Sequence, residues 1–360
     1  MEQYELLQHT YYQKESIVMS ETSQTAFASA TKRYGKDTDM CSLGRSIDWR
    51  HKTRDFLMSE TRRVNGYMET LTSCPICSAA DHKSFGKFFG LRYVTCTECG
   101  HLFGLDQLND EGLRLLYSSS NSAYTHVYFD ENQFQKRVEA IARPKASFVY
   151  EYLKPEPGKI WLDVGSSVGE LLTVVTQMGW SAKGVETDPT AVAFAKAAGL
   201  SVTECCLTKD NVMEHLRNVQ VVSLLNVLEH LKNPFDLLSA IAGGLEENAW
   251  ILIEVPRHPS LTSFAMRAMP ENSVRHIMFH HLHLFSEKSL EFVLNNAGFD
   301  AKAVWYFGQD YFETLSILHM THPCEIPTSL LESVGHVQRT IDMCGLSDAM
   351  LVLAQRNIVT

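Results

Sequence analysis

From Ile160 onward short apolar runs alternate with helical stretches, and this alternation limits the fold more than any other feature of the chain. The runs are Ile160–Val164, Ala182–Val185, Val219–Leu225 and Trp250–Val255. Between them, Glu170–Met178, Ala191–Ala198 and Phe235–Leu245 carry apolar residues at three- and four-residue steps. A strand apolar on both faces has to be covered on both, and helices between successive strands supply the cover. The pattern predicts a doubly wound α/β domain on a mostly parallel sheet, with two later strands near Ala303–Phe307 and Ala349–Gln355.

The breaker Lys154-Pro-Glu-Pro-Gly158 sets the start of that domain, residues 155–360. Ahead of it, residues 105–154 read as a helical linker or lid, with helices over Asp110–Tyr117 and Phe134–Leu153 and a loop over Ser118–Tyr124. Residues 71–104 form a compact cysteine-bearing unit. Residues 1–70 are polar, Ser/Thr-rich in part and little periodic, so they are expected to form a poorly ordered extension or one that depends on a protein partner. At 360 residues and 45% apolar content the chain can bury a full core, and its formal charge of −10 argues against gripping a phosphate backbone. No stretch has the character of a signal peptide or the ~18 apolar residues of a membrane span, so the expectation is a cytoplasmic protein without membrane contact.

Nine cysteines, an odd number, fit thiols and metal better than a disulfide framework. Four stand in two tight pairs, Cys74-Pro-Ile-Cys77 and Cys96-Thr-Glu-Cys99, eighteen residues apart. Each pair presents two sulfurs to one face of a tetrahedral ion, so the spacing matches a four-thiolate Zn2+ site; disulfides or unpaired thiols are the alternative. A closed four-sulfur shell leaves no open position, which makes the expected zinc structural. His101 is a substitute ligand on this reading or else a surface histidine, and Cys41, Cys205, Cys206, Cys324 and Cys344 lack such spacing.

The loop Asp163-Val-Gly165-Ser166-Ser167-Val-Gly169 closes the first strand and opens a helix. Glycines let main chain run close to a ligand, and a helix amino end favours a carboxylate. Its spacing is not that of the dinucleotide fingerprint. Glu186 ends the second strand, where a carboxylate can accept from two ribose hydroxyls, and Leu224-Leu-Asn226-Val227-Leu-Glu229-His230 follows from the third run. In this order the elements resemble class I S-adenosylmethionine-dependent methyltransferases over about Pro155 to Asn357. That resemblance implies a seven-stranded Rossmann-like sheet and S-adenosyl-L-methionine as cofactor. It implies that Asp163, Gly165, Ser166, Ser167 and Gly169 hold the methionine portion, Glu186 the ribose, and Asn226 with Val227 a further edge. Ser167 replaces a frequent glycine of the family. Asp188 is a second acidic contact or the cap of a helix starting at Pro189.

The segment Arg275-His276-Ile-Met-Phe-His280-His281-Leu-His283 leaves the carboxyl edge of the sheet, where ligands bind in open α/β folds. Methyl transfer from a sulfonium needs alignment, exclusion of water and a base, and histidine is the side chain suited to that near neutral pH. The histidines also fit a packing role, or a metal cluster lacking a carboxylate. His281-Leu-His-Leu-Phe-Ser-Glu-Lys-Ser-Leu290, followed by Asn296-Ala-Gly-Phe299, resembles one branch of the family, which joins an N-terminal zinc ribbon to a histidine-bearing lid and includes C-methyltransferases of nucleotide-linked keto-deoxysugars. That branch has a Glu-His pair where this chain has His280-His281, so the base it implies is His281, with His280 in place of the acid, and C-, O- and N-methylation stay open. The branch also implies a tyrosine from the linker near the acceptor, here Tyr124 or Tyr128. Glu229 and His230 line the acceptor pocket or fix a turn. Phe307-Gly-Gln-Asp310-Tyr311 offers polar groups to a sugar or forms a plain loop.

The expected activity is therefore methyl transfer to a small polar acceptor, of nucleotide-linked-sugar or glycan-pathway type, with nucleic acid unlike the charge balance. An RNA methyltransferase would need an exposed basic and aromatic track, for which Lys83, Lys87, Arg92, Phe85, Phe88, Phe89 and Tyr93 are the candidates. A non-catalytic adaptor with a vestigial cofactor fold is the third reading.

Overall fold

The structure, a computed structural model, describes residues 26–36, 47–118, 131–272 and 274–357. In chain order its strands are β1 (Thr31–Tyr34), β2 (Met68–Thr70), β3 (His82–Phe88), β4 (Leu91–Cys96), β5 (Leu102–Gly104) and β6 (Asp106–Leu108). Then come β7 (Ile160–Val164), β8 (Ser181–Glu186), β9 (Val202–Glu204), β10 (Val219–Leu225), β11 (Trp250–Pro256), β12 (His283–Leu284), β13 (Phe299–Phe307) and β14 (Ala349–Arg356). The main sheet has the order β1-β13-β14-β11-β10-β7-β8-β9. All neighbours pair in parallel except β14, which runs antiparallel to both β11 and β13.

The sheet is wound as the apolar runs require. Six of the seven residues of β10, and six of β11, are buried, because helices cover each face. Helices Pro234–Gly244 and Glu287–Ala297 bring Leu237, Ile241, Leu290 and Leu294 to one face. Helices Arg143–Tyr150 and Glu170–Gln177 bring Phe148, Val149, Leu171 and Val174 to the other. The expected helix over Phe134–Leu153 widens into a π turn at Val138–Ala142, immediately ahead of Pro144, whose ring nitrogen has no hydrogen to donate.

Two expectations are corrected. The sheet has eight strands, not seven, because β1 pairs along β13 from Thr31 opposite Ala303 to Tyr34 opposite Tyr306. The stretch read as a polar extension thus supplies a strand, and a helix over Ile47–Val64 as well. Both are held by long-range contacts that local pattern does not encode: Leu57 joins a core cluster with Phe88, Met266 and Phe279, and Arg50, 1% exposed, makes a two-pronged ion pair with Glu313. Residues 119–130, which hold Tyr124 and Tyr128 and most of the expected loop, lie outside the described residues.

The cysteine-bearing unit is a small antiparallel sheet of order β12-β5-β4-β3. Its outer strand β12 comes from the histidine segment of the large domain, pairing His283 with Phe103 and Leu284 with Leu102. The unit therefore grips that segment directly.

Candidate functional site

The carboxyl ends of β7 and β10 frame a crevice of about 120 Å³ lined by Asp163, Gly165, Ser166, Ser167, Glu170, Leu225 and Asn226, together with Arg137, Ile141, Ala142, Lys145 and Leu171. Main-chain geometry shapes it. Gly169 has φ of +92°, and a Cβ there would lie 2.3 Å from Cδ1 of Leu200; one on Gly165, at φ +69°, would lie 2.9 Å from Cγ2 of Val227. Ser167 and Asn226 hold left-handed conformations without being glycine, at φ +49° and +55°, strain that the surrounding contacts maintain. Helix Glu170–Gln177 opens with no side-chain cap, so its amino end keeps donors for a carboxylate.

Glu186, at the end of β8, ties this loop together. Its Oε2 accepts from the Ser167 N–H at 2.8 Å, and its Oε1 accepts from the Thr187 and Asp188 N–H groups at 2.6 and 2.9 Å. A carboxylate has about four lone-pair sites, so Oε2 keeps one for a hydroxyl. Asp188 is settled as a cap: it accepts from the Thr190 N–H at 2.8 Å, and Pro189 takes the first helical position. Asp163 is buried and accepts from the Ser223 hydroxyl at 2.5 Å; burial nevertheless pushes its pKa up to about 7. The buried Ser166 hydroxyl lines the crevice and finds no partner in the protein.

A larger cavity of about 360 Å³ adjoins the crevice. Arg137, Ile141, Lys145 and Asn226 line both. Its wall draws on many parts of the chain: Lys36 and Trp49 from the N-terminal segment, Glu229 and His230 after β10, His276, His280 and His281, and Phe307, Gly308 and Gln309 after β13. Glu254 of β11 reaches it too, ion-paired with the buried Lys145.

Three histidines converge here, with a ring nitrogen of each of His230, His280 and His281 within 4.8 Å of the others. One main-chain bond brings them together across fifty residues, the Leu282 N–H donating to the Glu229 carbonyl at 2.7 Å. His230 Nδ1 faces the His280 carbonyl at 3.0 Å and His281 Nδ1 faces the His276 carbonyl at 2.9 Å. A carbonyl only accepts, so in both rings Nδ1 carries the proton and Nε2 keeps its lone pair. Burial lowers His230 to about 4 and His280 to about 3, and burial with the neighbouring rings takes His281 well below its ordinary value. All three are neutral at neutral pH. Burial also pushes Glu229 up to about 8, and neither of its oxygens has a partner, so this side chain is protonated in the cavity wall.

The cysteine pairs come together as their spacing requires. Sγ of Cys74 and Cys99 lie 3.7 Å apart, those of Cys77 and Cys96 3.6 Å, and all four fall within 4.8 Å. Tetrahedral zinc–thiolate bonds of about 2.3 Å put sulfurs about 3.8 Å apart, so the cluster is compatible with zinc. Two tight turns close it, the Ser78 N–H donating to the Cys74 carbonyl and the Gly100 N–H to the Cys96 carbonyl. His101 is not at the surface but fully buried, with its Nε2 3.0 Å from Nδ1 of His283.

The structure gathers Asp163, Gly165, Ser166, Ser167 and Asn226 on the crevice, with Gly169, Glu186 and Val227 supporting it, and Glu229, His230, His280 and His281 on the cavity. Tyr124 lies outside the described residues. Sequence reasoning missed Lys36, Trp49, Arg137, Lys145 and Glu254; a lysine on the inward face of an amphipathic helix was the available signal for Lys145. Of the loop after β13, Gln309 reaches the cavity, whereas Asp310 is buried and accepts from Thr262 and Gln338. No helix among the described residues is long and apolar enough to cross a membrane.

Residues 129–304 match the family model described as a methyltransferase domain. A search of curated protein sequences returns no match. Among solved structures, a SAM-dependent methyltransferase from Archaeoglobus fulgidus is 18% identical, covering 65% of this chain and 100% of its own, with a TM-score of 0.45. A possible histamine N-methyltransferase from Thermotoga maritima is 16% identical, covering 64% and 99%, at 0.40. A geranyl diphosphate C-methyltransferase from Streptomyces coelicolor is 12% identical, covering 68% and 96%, at 0.39. Over residues 129–304 the chain carries a methyltransferase domain, and it is a methyltransferase.

Proposed function

We propose that the crevice takes the donor, the adjoining cavity takes a small polar acceptor, and His281 receives the acceptor's proton. The single observation carrying this reading is the partition common to both spaces, Arg137, Ile141, Lys145 and Asn226, which sets two ligands side by side. Bound S-adenosylmethionine supplies an electrophilic methyl group on a sulfonium. The uncapped helix end and the Ser166 hydroxyl receive its carboxylate, and Glu186 receives one ribose hydroxyl through the free lone pair on Oε2.

The residues of the cavity then do the rest. Its walls hold the acceptor in line and exclude water. Nε2 of His281 accepts the proton as the acceptor's nucleophilic atom becomes acidic on taking the methyl, with His280 and His230 packed against the ring at 5.0 and 4.8 Å. Protonated Glu229 donates to the acceptor and does not compete as a base. The cysteine quartet holds a structural zinc ion, and the ribbon it folds fixes the histidine segment through β12 and through the Tyr93 hydroxyl, which donates to the Met278 carbonyl at 2.7 Å. The acceptor is a nucleotide-linked sugar or glycan intermediate, in keeping with the branch that the lid and ribbon resemble.

RNA is disfavoured by the aromatic side chains that would stack bases: Phe85, Phe88 and Tyr93 are core residues, and Arg92 is paired with Asp106. Incubating the purified protein with labelled methyl donor and a metabolite extract should place label on a small molecule, and label found only on RNA would overturn the assignment. With that acceptor, His281→Ala should lower kcat by about 10²- to 10⁴-fold at unchanged donor affinity; full turnover would remove His281 from the role.

A further inference from the structure

Lys36 enters the acceptor cavity from a part of the chain that reads as an extension. β1 carries it to the edge of the main sheet, where the Trp305 indole N–H donates to the Gly35 carbonyl at 2.7 Å and the Gly35 N–H donates to the Tyr306 carbonyl at 2.9 Å. At Gly35, with φ of +80°, the chain turns off the edge, and the Lys36 ammonium comes to rest 5.1 Å from the centre of the Phe307 ring. Trp49, thirteen residues on, lines the same cavity.

The other cations of the wall have partners. Lys145 is paired with Glu254, Arg137 with Glu170 at 2.8 Å, and Arg275 with Asp348 at 2.8 Å. No carboxylate among the described residues pairs with Lys36. Burial holds Glu229 toward its neutral form, and the ionised carboxylate on the wall, Glu254, is engaged by Lys145. Burial, then repulsion from Lys145, draws the Lys36 ammonium down to about 7; the attraction of Glu254 opposes this only in part, and Arg137 and Arg275 add further repulsion. An anion placed beside it would relieve that repulsion and restore its full charge.

We infer that Lys36 anchors an anion subsite within the acceptor cavity and takes a phosphate or carboxylate group of the methyl acceptor. The inference rests on the reading of this cavity as the acceptor site. It assigns the N-terminal segment a binding role: without β1 the sheet keeps its donor crevice but loses the cation that recognises the acceptor. A compact ammonium on a flexible stem suits an anionic oxygen as a point charge, and the Phe307 ring attracts the ammonium toward its face.

The test uses the full chain loaded with S-adenosylhomocysteine, titrated in a calorimeter with pyrophosphate and, separately, with malonate. Wild type should bind one of them: pyrophosphate alone assigns a phosphate group, and malonate alone a carboxylate. Lys36→Met should weaken that binding about tenfold to a hundredfold, and Lys36→Arg should restore most of it. Equal affinity in wild type and Lys36→Met, or failure of wild type to bind either anion, overturns the subsite. S-adenosylhomocysteine affinity in the same proteins reports on the crevice alone: its absence in wild type would defeat the donor assignment, and its retention with no effect of Lys36 defeats only the anchor.

Discussion

The crevice proposed for the donor and the cavity proposed for the acceptor touch along one wall but are made in different ways. The crevice comes from the ends of two adjacent parallel strands, β7 and β10, and from the conformations of Gly165, Ser167, Gly169 and Asn226. Its shape is local main-chain geometry. The cavity comes from Lys36, Trp49, Arg137, Glu229, His281 and Phe307, which no stretch of sequence brings together, and buried ion pairs and the cysteine unit hold these pieces in place. The difference teaches that the two half-sites should fail separately: damage to remote contacts ought to remove the acceptor while leaving the donor bound.

Stripping metal from the zinc site proposed at the cysteine quartet should have the largest effect, since structural zinc contributes about 10–16 kcal/mol of apparent binding energy to small modules. Chelation should abolish methyl transfer while S-adenosylhomocysteine still binds by calorimetry; loss of both would break the distinction between the half-sites. Arg50→Ala comes next. It strips buried Glu313 of its two-pronged partner and leaves it Arg275, 3.8 Å away, so chemical denaturation should show a loss of about 3 kcal/mol. A change under about 1 kcal/mol would mean that apolar packing, and not the pair, docks the helix Ile47–Val64.

Glu186→Ala sharpens the donor side. Losing a charge-assisted bond to a ribose hydroxyl should weaken S-adenosylhomocysteine by about tenfold to a hundredfold, with acceptor-side anion binding intact. Unchanged affinity would defeat the ribose assignment. The smallest effect is one of pH. Glu229 has its pKa raised by burial from 4.5 to about 8, so its contribution to stability is fully present below pH 4.5 and is lost as pH rises through 8. Thermal unfolding of wild type and Glu229→Gln should therefore agree in slope below pH 4.5 and diverge toward pH 8, the variant becoming relatively more stable. Parallel curves throughout would show that Glu229 is not buried as a neutral acid.

The same division explains what could be read from the residues alone. Strands β7, β10 and β11 were legible because burial on both faces demands mostly apolar runs, and the cysteine quartet because its spacing is geometry written in sequence. Strand β1 was not: Thr-Lys-Arg-Tyr is largely exposed, and only its pairing with β13 makes it a strand. Asp188 carried two readings until its bond to the Thr190 N–H showed which applies. His281 was visible as a candidate, but its meeting with His230 depends on one backbone bond between Leu282 and Glu229. Lys36 had no local signal, since nothing about a lysine in a polar stretch shows that distant parts of the chain will close a cavity around it.

Strand β1 has one more consequence. Without it, the nine residues of β13 would offer open amide and carbonyl groups along the outer margin of the sheet, a template onto which another molecule can zip. By occupying that margin with only four residues, Lys32 and Arg33 among them, the chain presents a short, charged border that discourages further addition. A protein trimmed past residue 36 would lose more than its cavity lysine: it would gain a sticky flank and a tendency to self-associate.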